Sequence, residues 1–225
     1  EVADLNTARL ALGGCGASNS SAIGFGGNQP PPNSARTETW NGTSWTEQND
    51  LNNARKYLAG TGTQAAALCS GGGNSTHTEE WTQNAPVGAW SSGPNINTAR
   101  NSGGGAGVYN EALLFGGNPI PSSAFTEQYN GSSWSETADM NTGKNKTLGF
   151  GSYTAAICCN GDDPGYSALS ETWNGTSWAE GNDLNQAREQ ASAVSGTTTA
   201  GLIFGGQGPP AAMQTVTERY NGTSW

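Results

Sequence analysis

The sequence predicts an all-β protein, a five-bladed β-propeller of four-stranded blades, because three markers recur along it in the same order. A tryptophan closes segments such as WNGTSW and YNGTSW, at spacings of 45, 44, 44 and 47 residues. A Leu/Ile/Met-Asn-x-Ala/Gly-Arg/Lys segment recurs five times, and a Gly-Gly pair recurs with it except in the fourth copy, which has Asn160-Gly161. These copies predict five repeats of about 45 residues. The closing tryptophans are Trp45, Trp90, Trp134, Trp178 and Trp225.

Each repeat is expected to contain four strands. The first follows the Arg or Lys, as in residues 10–16, and the second ends at Gly-Gly. The third carries Thr/Ser-Glu-x-Trp/Tyr, and the fourth begins at the closing tryptophan. The Asn-Gly between them predicts a type I′ hairpin turn, in which both central residues have positive φ. The tryptophans are expected to fill space between blades, because large aromatic side chains bury much area.

The two ends of the chain predict how the last blade is completed. The chain stops at Trp225, where a fourth strand should begin, and residues 1–5 match those that follow Trp45. We expect the N-terminal segment to pair beside the 215–220 strand and complete the last blade of a single domain, residues 1–225. Such closure removes exposed strand edges. A first residue other than Met is typical of a processed chain or of part of a longer repeat array.

Composition and charge disfavour several functional classes. The formal net charge is −9, with only 9 Lys and Arg in 225 residues. Nucleic-acid binding needs clustered cations for the phosphates, so we do not expect it. No stretch approaches the ~20 apolar residues of a membrane span, so we expect no membrane insertion.

The sequence offers little metal or redox chemistry. His77 is the only histidine and the cysteines have no repeated spacing, which disfavours a His-rich metal centre or a His-based triad. We expect no cofactor, no metal and buried free thiols, although a strained disulfide between adjacent cysteines is an alternative. The pair Asp162-Asp163 could hold Ca²⁺, but a solvated turn is favoured. The cysteines are Cys15, Cys69, Cys158 and Cys159.

The order of the markers resembles the kelch repeat: Gly-Gly on the second strand, an aromatic residue on the third, Trp on the fourth, then Met/Leu-x-x-x-Arg. The repeats are shorter than the ~50 residues of kelch, and there are five rather than six or seven. Segments such as TETWNGTSWTEQNDLNNAR also resemble kelch-like repeat proteins of tailed phages of marine cyanobacteria. This resemblance implies a virion or tail-associated structural protein. Kelch copper oxidases need two histidines and a Tyr–Cys pair, so that activity is not implied.

Positions that stay constant between repeats are interpreted as structural. Five acids recur on the third strands, and a cation recurs before each first strand, so we predict structural ion pairs rather than catalytic carboxylates. The four Asn-Gly-Thr/Ser segments match the N-glycosylation pattern, but a hairpin turn already explains them. The acids are Glu38, Glu79, Glu127, Glu171 and Glu218, and the cations are Arg9, Arg55, Arg100, Lys144 and Arg188.

Positions that vary while staying polar are free to contact a partner. They follow the recurring cation and also fill the loops between second and third strands, which chain direction places on the same face. In a propeller, the positions that follow the recurring cation lie where the innermost strand enters the central channel. Variable loops on a rigid scaffold commonly form binding sites, although a merely solvated surface is the alternative. The candidate ligand- or partner-binding residues are Lys56, Tyr57, Asn101, Asn145, Lys146, Glu189 and Gln190.

These observations favour a non-enzymatic binding or structural module. The expected setting is a virion or extracellular surface, after synthesis in a reducing cytoplasm. The expected partners are other virion proteins or a cell-surface glycan, within a larger assembly. A lectin with about five repeated sugar pockets between blades is the alternative. A glycosidase is less favoured, because it needs two carboxylates within ~10 Å and Glu189 is the one acid at the predicted channel.

Overall fold

The structure, a computed structural model, describes residues 2–29, 32–83, 87–119, 124–162 and 165–225. These residues form an all-β, five-bladed β-propeller without α-helices, which confirms the predicted fold class. The chain divides into two compact units. The first unit contains residues 1–101, 108–110 and 129–134, and the second contains residues 102–107, 111–128 and 135–225.

The first two repeats each form a four-stranded antiparallel sheet in which neighbouring strands follow each other in sequence. In the first repeat the strands are β1 (Gly13–Ser18), β2 (Ser21–Phe25), β3 (Thr37–Trp40) and β4 (Trp45–Glu47). In the second they are β5 (Ala59–Gly62), β6 (Ala66–Ser70), β7 (Thr78–Thr82) and β8 (Ala89–Gly93).

The third and fourth repeats form sheets with the same strand order. The third contains β9 (Gly104–Val108), β10 (Glu111–Phe115), β11 (Thr126–Tyr129) and β12 (Trp134–Glu136). The fourth contains β13 (Leu148–Ser152), β14 (Ala155–Cys159), β15 (Ser170–Trp173) and β16 (Trp178–Glu180).

The fifth repeat differs from the others. Residues 2–5 correspond to residues 48–51, which follow β4, and neither segment lies in a strand. Residue 1, which corresponds to Glu47 in β4, lies outside the described residues. The sheet therefore has three strands in the described residues, and a separate two-stranded hairpin accompanies it. The sheet consists of β17 (Ser192–Thr197), β18 (Ala200–Phe204) and β21 (Thr217–Tyr220), and the hairpin of β19 (Gln207–Gly208) and β20 (Ala212–Met213).

The Asn-Gly hairpins form, but their turn type differs from the prediction. Trp40 pairs with Trp45, so the loop has four residues rather than two. Gly42 has a φ of 93°, whereas Asn41 is not among the residues with positive φ. The Oδ1 atom of Asn41 accepts hydrogen bonds from the backbone N–H groups of Thr43 and Ser44, both at 2.9 Å. Asparagine is therefore needed here for its side-chain acceptor rather than for a left-handed backbone.

Aromatic side chains and glycines pack together between neighbouring repeats. A Cβ atom on Gly149 would lie 2.1 Å from Phe115 Cζ, and one on Gly201 would lie 2.4 Å from Phe150 Cζ. Phe115 also meets Trp178 edge to face, with ring centroids 4.9 Å apart. The high glycine content thus allows the rings of one repeat to contact the backbone of the next.

In the first three repeats, the first Gly of the Gly-Gly pair approaches the cation of the following repeat. Gly26 has a φ of +63°, and a Cβ there would lie 2.7 Å from the carbonyl oxygen of Arg55. That oxygen accepts a hydrogen bond of 2.9 Å from the N–H of Gly27. Two of the three markers are therefore joined by one backbone contact, which explains why they recur together.

Candidate functional site

Buried ion pairs join the recurring acids and cations, as predicted. Lys144 Nζ lies 3.1 Å from Glu171 Oε1, and both side chains are fully buried. The other oxygen of Glu171 accepts a 2.7 Å hydrogen bond from the backbone N–H of Asn141. Both carboxylate oxygens are thus engaged within the scaffold. Corresponding pairs form between Arg9 and Glu38, Arg55 and Glu79, and Arg188 and Glu218.

A left-handed turn follows every recurring cation. The second residue after the cation has a φ between 53° and 58° in all five repeats, although none is glycine. An L-residue in this region costs roughly 1–2 kcal/mol. Because this turn precedes the first strand, the strand begins later in the sequence than expected: β1 begins at Gly13 rather than at residue 10. The five residues are Ala11, Tyr57, Ser102, Lys146 and Gln190.

The backbone of this turn is constant while its side chains differ, and that is what a variable binding position requires. Sequence reasoning identified the positions but not the conformation. Glycine or asparagine is the usual signal for positive φ, and neither occurs at these five places. The surrounding scaffold imposes the conformation, which leaves the side chains free to vary.

In the first unit, the structure brings predicted residues next to the loop between β6 and β7 of the second repeat. Asn101 Nδ2 donates a hydrogen bond to Asn74 Oδ1, which belongs to the loop between β6 and β7. Lys56 accepts a backbone hydrogen bond of 3.0 Å from Gly73 in that same loop, and its Nζ lies 5.3 Å from the ring centroid of Tyr57. The two variable sets therefore adjoin, as chain direction predicted.

In the second unit, a charged cluster joins three loops. Lys146 Nζ lies 2.9 and 3.0 Å from the two carboxylate oxygens of Glu189 and 3.7 Å from Asp162 Oδ2. Burial alone would lower the pKa of Lys146, but its hydrogen bond with Glu189 and the charges of Glu189 and Asp162 raise it. The lysine therefore stays protonated between two acids.

The other predicted residues of the second unit surround this cluster. Asn145 and Asp162 exchange backbone hydrogen bonds of 3.1 and 2.7 Å, and Glu189 and Gln207 exchange two of 2.9 Å. The side chain of Gln190 is exposed. Lys146 thus bridges Glu189 and Asp162, and the cluster is an ion-pair network rather than a free acid–base pair.

Asp162 and Asp163 are the pair at which the sequence allows Ca²⁺ binding. Asp163 lies outside the described residues. One carboxylate oxygen of Asp162 accepts a 2.6 Å hydrogen bond from the N–H of Gly165, and the other faces Lys146. Among the residues that the structure describes, no three His, Cys, Asp or Glu side chains are placed to hold a metal ion.

The four cysteines are free thiols. Cys158 and Cys159 are adjacent on β14, but Cys158 packs with Phe115 and Cys159 with Phe150 in separate apolar clusters. Successive side chains of a strand point to opposite faces, which is why no disulfide joins them. Burial raises the pKa of Cys69 to about 12, although Arg55 Nη2 lies 3.1 Å from its sulfur. These thiols are not reactive nucleophiles.

Comparison with models of known protein families gives no match, and comparison with curated proteins gives none either. Within the described ranges, no helix has the length and apolar character needed to cross a membrane.

Proposed function

We propose that this chain is a non-enzymatic binding or structural module whose variable turns and loops contact a partner. One observation carries the proposal: recurring acids and cations form buried pairs, whereas the residues just after the cations differ although a left-handed turn follows each cation. Lys144 and Glu171 are fully buried, for example, while Tyr57 is 37% exposed and Gln190 is also exposed. Recognition chemistry is thereby concentrated at the variable positions.

The proposed setting is a phage virion or tail surface, outside the cell. Support comes from the resemblance of repeat segments such as WNGTSW to kelch-like proteins of cyanobacterial phages. The partner would be another virion protein or a host-surface glycan. The net charge of −9 favours a partner that is neutral or basic over a strongly acidic polymer.

The observations favour this function over two alternatives. A lectin with repeated pockets needs similar loops in every repeat, but the loops between second and third strands differ in sequence and length. A glycosidase needs one carboxylic acid that can donate a proton and a second carboxylate. Glu189 and Asp162 instead face the same protonated lysine.

The test compares partner binding by two variants. The loop variant changes residues that follow the recurring cations, and the control variant changes residues of the Asn-Gly turns. Labelled chain is applied to an array of cell-surface glycans and to separated proteins of particles purified from the source that encodes it. The loop variant combines Lys56→Ala, Asn101→Ala and Gln190→Ala. The control combines Thr43→Ala, Ser132→Ala and Thr176→Ala. These exposed residues stabilise the Asn-Gly turns through their backbone N–H groups, which the substitutions retain.

We expect the loop variant to bind its partner at least tenfold more weakly and the control to bind as the unchanged chain does. Full binding by the loop variant would overturn the proposal. Cleavage of an arrayed glycan by the unchanged chain would overturn its non-enzymatic part. About five equal sites per chain would instead support the lectin alternative.

A further inference from the structure

The fifth repeat has a cleft that no repeated marker predicted. The loop between β18 and β21 contains the β19–β20 hairpin, which the other described loops do not form. A cleft of about 400 Å³ lies against this hairpin, within the range of roughly 300–1,000 Å³ common for small-molecule sites. Its lining residues are Gln186, Ala187, Pro209 and Gln214.

The described residues that line the cleft are uncharged. These four residues have no ionisable side chain. The charged residues that follow Ala187 are engaged elsewhere, since Arg188 pairs with Glu218 and Glu189 pairs with Lys146. Carboxamide dipoles and small apolar surfaces therefore face a ligand, which favours a neutral molecule rich in hydrogen-bonding groups.

The hairpin fixes one of the two carboxamides. Gln214 Nε2 donates a 3.1 Å hydrogen bond to the carbonyl of Ala212, and the backbone N–H of Gln214 donates one of 2.9 Å to Gly206. No donor among the described residues bonds to the Oε1 atom of this glutamine, so that atom can accept a hydrogen bond from a ligand. A Cβ on Gly208 would lie 2.9 Å from the carbonyl oxygen of Ala187, so the hairpin lies directly against the opposite wall.

The second carboxamide is specific to this repeat. Gln186 occupies the variable position of the Leu-Asn-x-Ala-Arg segment, where the other repeats have Thr or Asn, and its side chain is exposed. A glutamine offers both a donor and an acceptor. Adjacent hydroxyl groups on a ring can donate and accept at once, while Pro209 and Ala187 provide apolar surface for the C–H groups of the ring.

We propose that this cleft binds a single neutral sugar residue. The inference rests on the proposed binding function and narrows it to one non-repeated site in the fifth repeat. Gln186 and Gln214 would hydrogen-bond to neighbouring hydroxyls of the sugar. An acidic sugar would be disfavoured, because none of the described residues that line the cleft is a cation and the chain is negatively charged.

The test is a nuclear magnetic resonance titration of the ¹⁵N-labelled full chain. The probes are the methyl glycosides of glucose, galactose, mannose and N-acetylglucosamine, with N-acetylneuraminic acid as the charged comparison. At least one neutral glycoside should shift the side-chain amide signals of Gln186 and Gln214 saturably. Gln186→Ala should weaken this binding roughly fivefold to tenfold, because one hydrogen bond is lost.

Two further variants sharpen the result. Asn53→Ala changes the corresponding exposed position of the second repeat and should leave the affinity unchanged. Gln214→Ala should weaken binding as Gln186→Ala does. If Gln214→Ala disrupts the β19–β20 hairpin, Gln186→Ala still tests the site, because it leaves the hydrogen bonds of the hairpin intact. The inference is overturned if no neutral glycoside shifts these signals, if Gln186→Ala binds normally, or if the acidic sugar binds as tightly.

Failure here is distinguishable from failure of the proposed function. If the loop variant loses its partner while no glycoside shifts Gln186 or Gln214, the binding function stands and the sugar site does not. If a glycoside binds the cleft while the loop variant keeps its partner, the sugar site stands and the wider variable surface does not.

Discussion

The indole N–H of Trp178 donates a 3.0 Å hydrogen bond to the hydroxyl of Thr126, which lies 52 residues earlier in the preceding repeat. Trp90 and Thr37 make the same contact at 2.8 Å. Each closing tryptophan of these pairs thus supplies both apolar area and a directed bond to the previous sheet. The two side chains of each pair are buried.

Replacing Thr126 by valine keeps the shape and removes the acceptor. The buried indole N–H of Trp178 then lacks a partner, and we expect the free energy of unfolding to fall by about 1–3 kcal/mol. Urea denaturation followed by tryptophan fluorescence measures the change. Thr172→Val is the matched control, because that hydroxyl lies in an exposed contact with the Ala179 carbonyl. Equal losses in the two variants would contradict this role.

Removing one member of the buried Lys144–Glu171 pair is expected to be severe. Glu171→Gln leaves the ammonium of Lys144 buried without its counter-charge, so the free energy of unfolding should fall by about 3–5 kcal/mol. Urea denaturation again gives the value. Glu47→Gln breaks the exposed pair with Arg36 and should cost under about 1 kcal/mol. A small loss in the Glu171 variant would mean that the pair is dispensable.

The sequence predicted those features that recur within the chain. Repetition identified five sheets, and the one-to-one match of acids and cations predicted pairs such as Lys144–Glu171. Turn type was missed, because the same Asn-Gly serves a four-residue loop when the asparagine side chain accepts backbone hydrogen bonds. A repeated segment indicates that its residues are structurally required, but it does not indicate the backbone geometry that they form.

Features that occur once were beyond sequence reasoning. The cluster of Lys146 with Glu189 and Asp162 depends on how three separate loops approach each other. The β19–β20 hairpin and its cleft depend on the local folding of one loop, whose counterparts in the other repeats form no such hairpin in the described residues. The chain supplies no second copy with which such features could be compared.

The fourth repeat carries an asparagine that the other repeats avoid. Asn160 replaces the first glycine of the pair, adopts a φ of 56° and is fully buried. Neither of its side-chain amide atoms has a hydrogen-bond partner among the described residues. Both the unpaired amide and the left-handed backbone lower stability.

Asn160→Gly is therefore expected to raise the free energy of unfolding by about 1–3 kcal/mol. The reverse change, Gly116→Asn in the third repeat, is the control. It should destabilise, because a Cβ there would lie 2.7 Å from the carbonyl oxygen of Lys144. Differential scanning calorimetry of both variants measures the effect. A destabilised Asn160→Gly variant would show that the asparagine side chain has a necessary contact.

Stability should fall in alkaline solution because of the buried thiols. Burial raises the pKa of Cys69 from 9.0 to about 12 and raises that of Cys158 as well. The unfolded chain therefore releases these protons near pH 9 while the folded chain retains them, so the free energy of unfolding falls as pH rises. Between pH 8 and pH 10 the Cys69 thiol should account for a loss of about 1.4 kcal/mol.

Cys69→Ala isolates one thiol in this alkaline effect. The variant loses packing and the contact with Arg55, so it should be less stable at both pH values, but its loss between pH 8 and pH 10 should be smaller by about 1.4 kcal/mol. Lys144 and Lys146 also have a raised pKa, and their stabilising effect is lost only as pH rises beyond their ordinary 10.5, above this window. Urea denaturation at the two pH values provides the measurement, and an unchanged pH difference in the variant would show that Cys69 ionises freely in the folded protein.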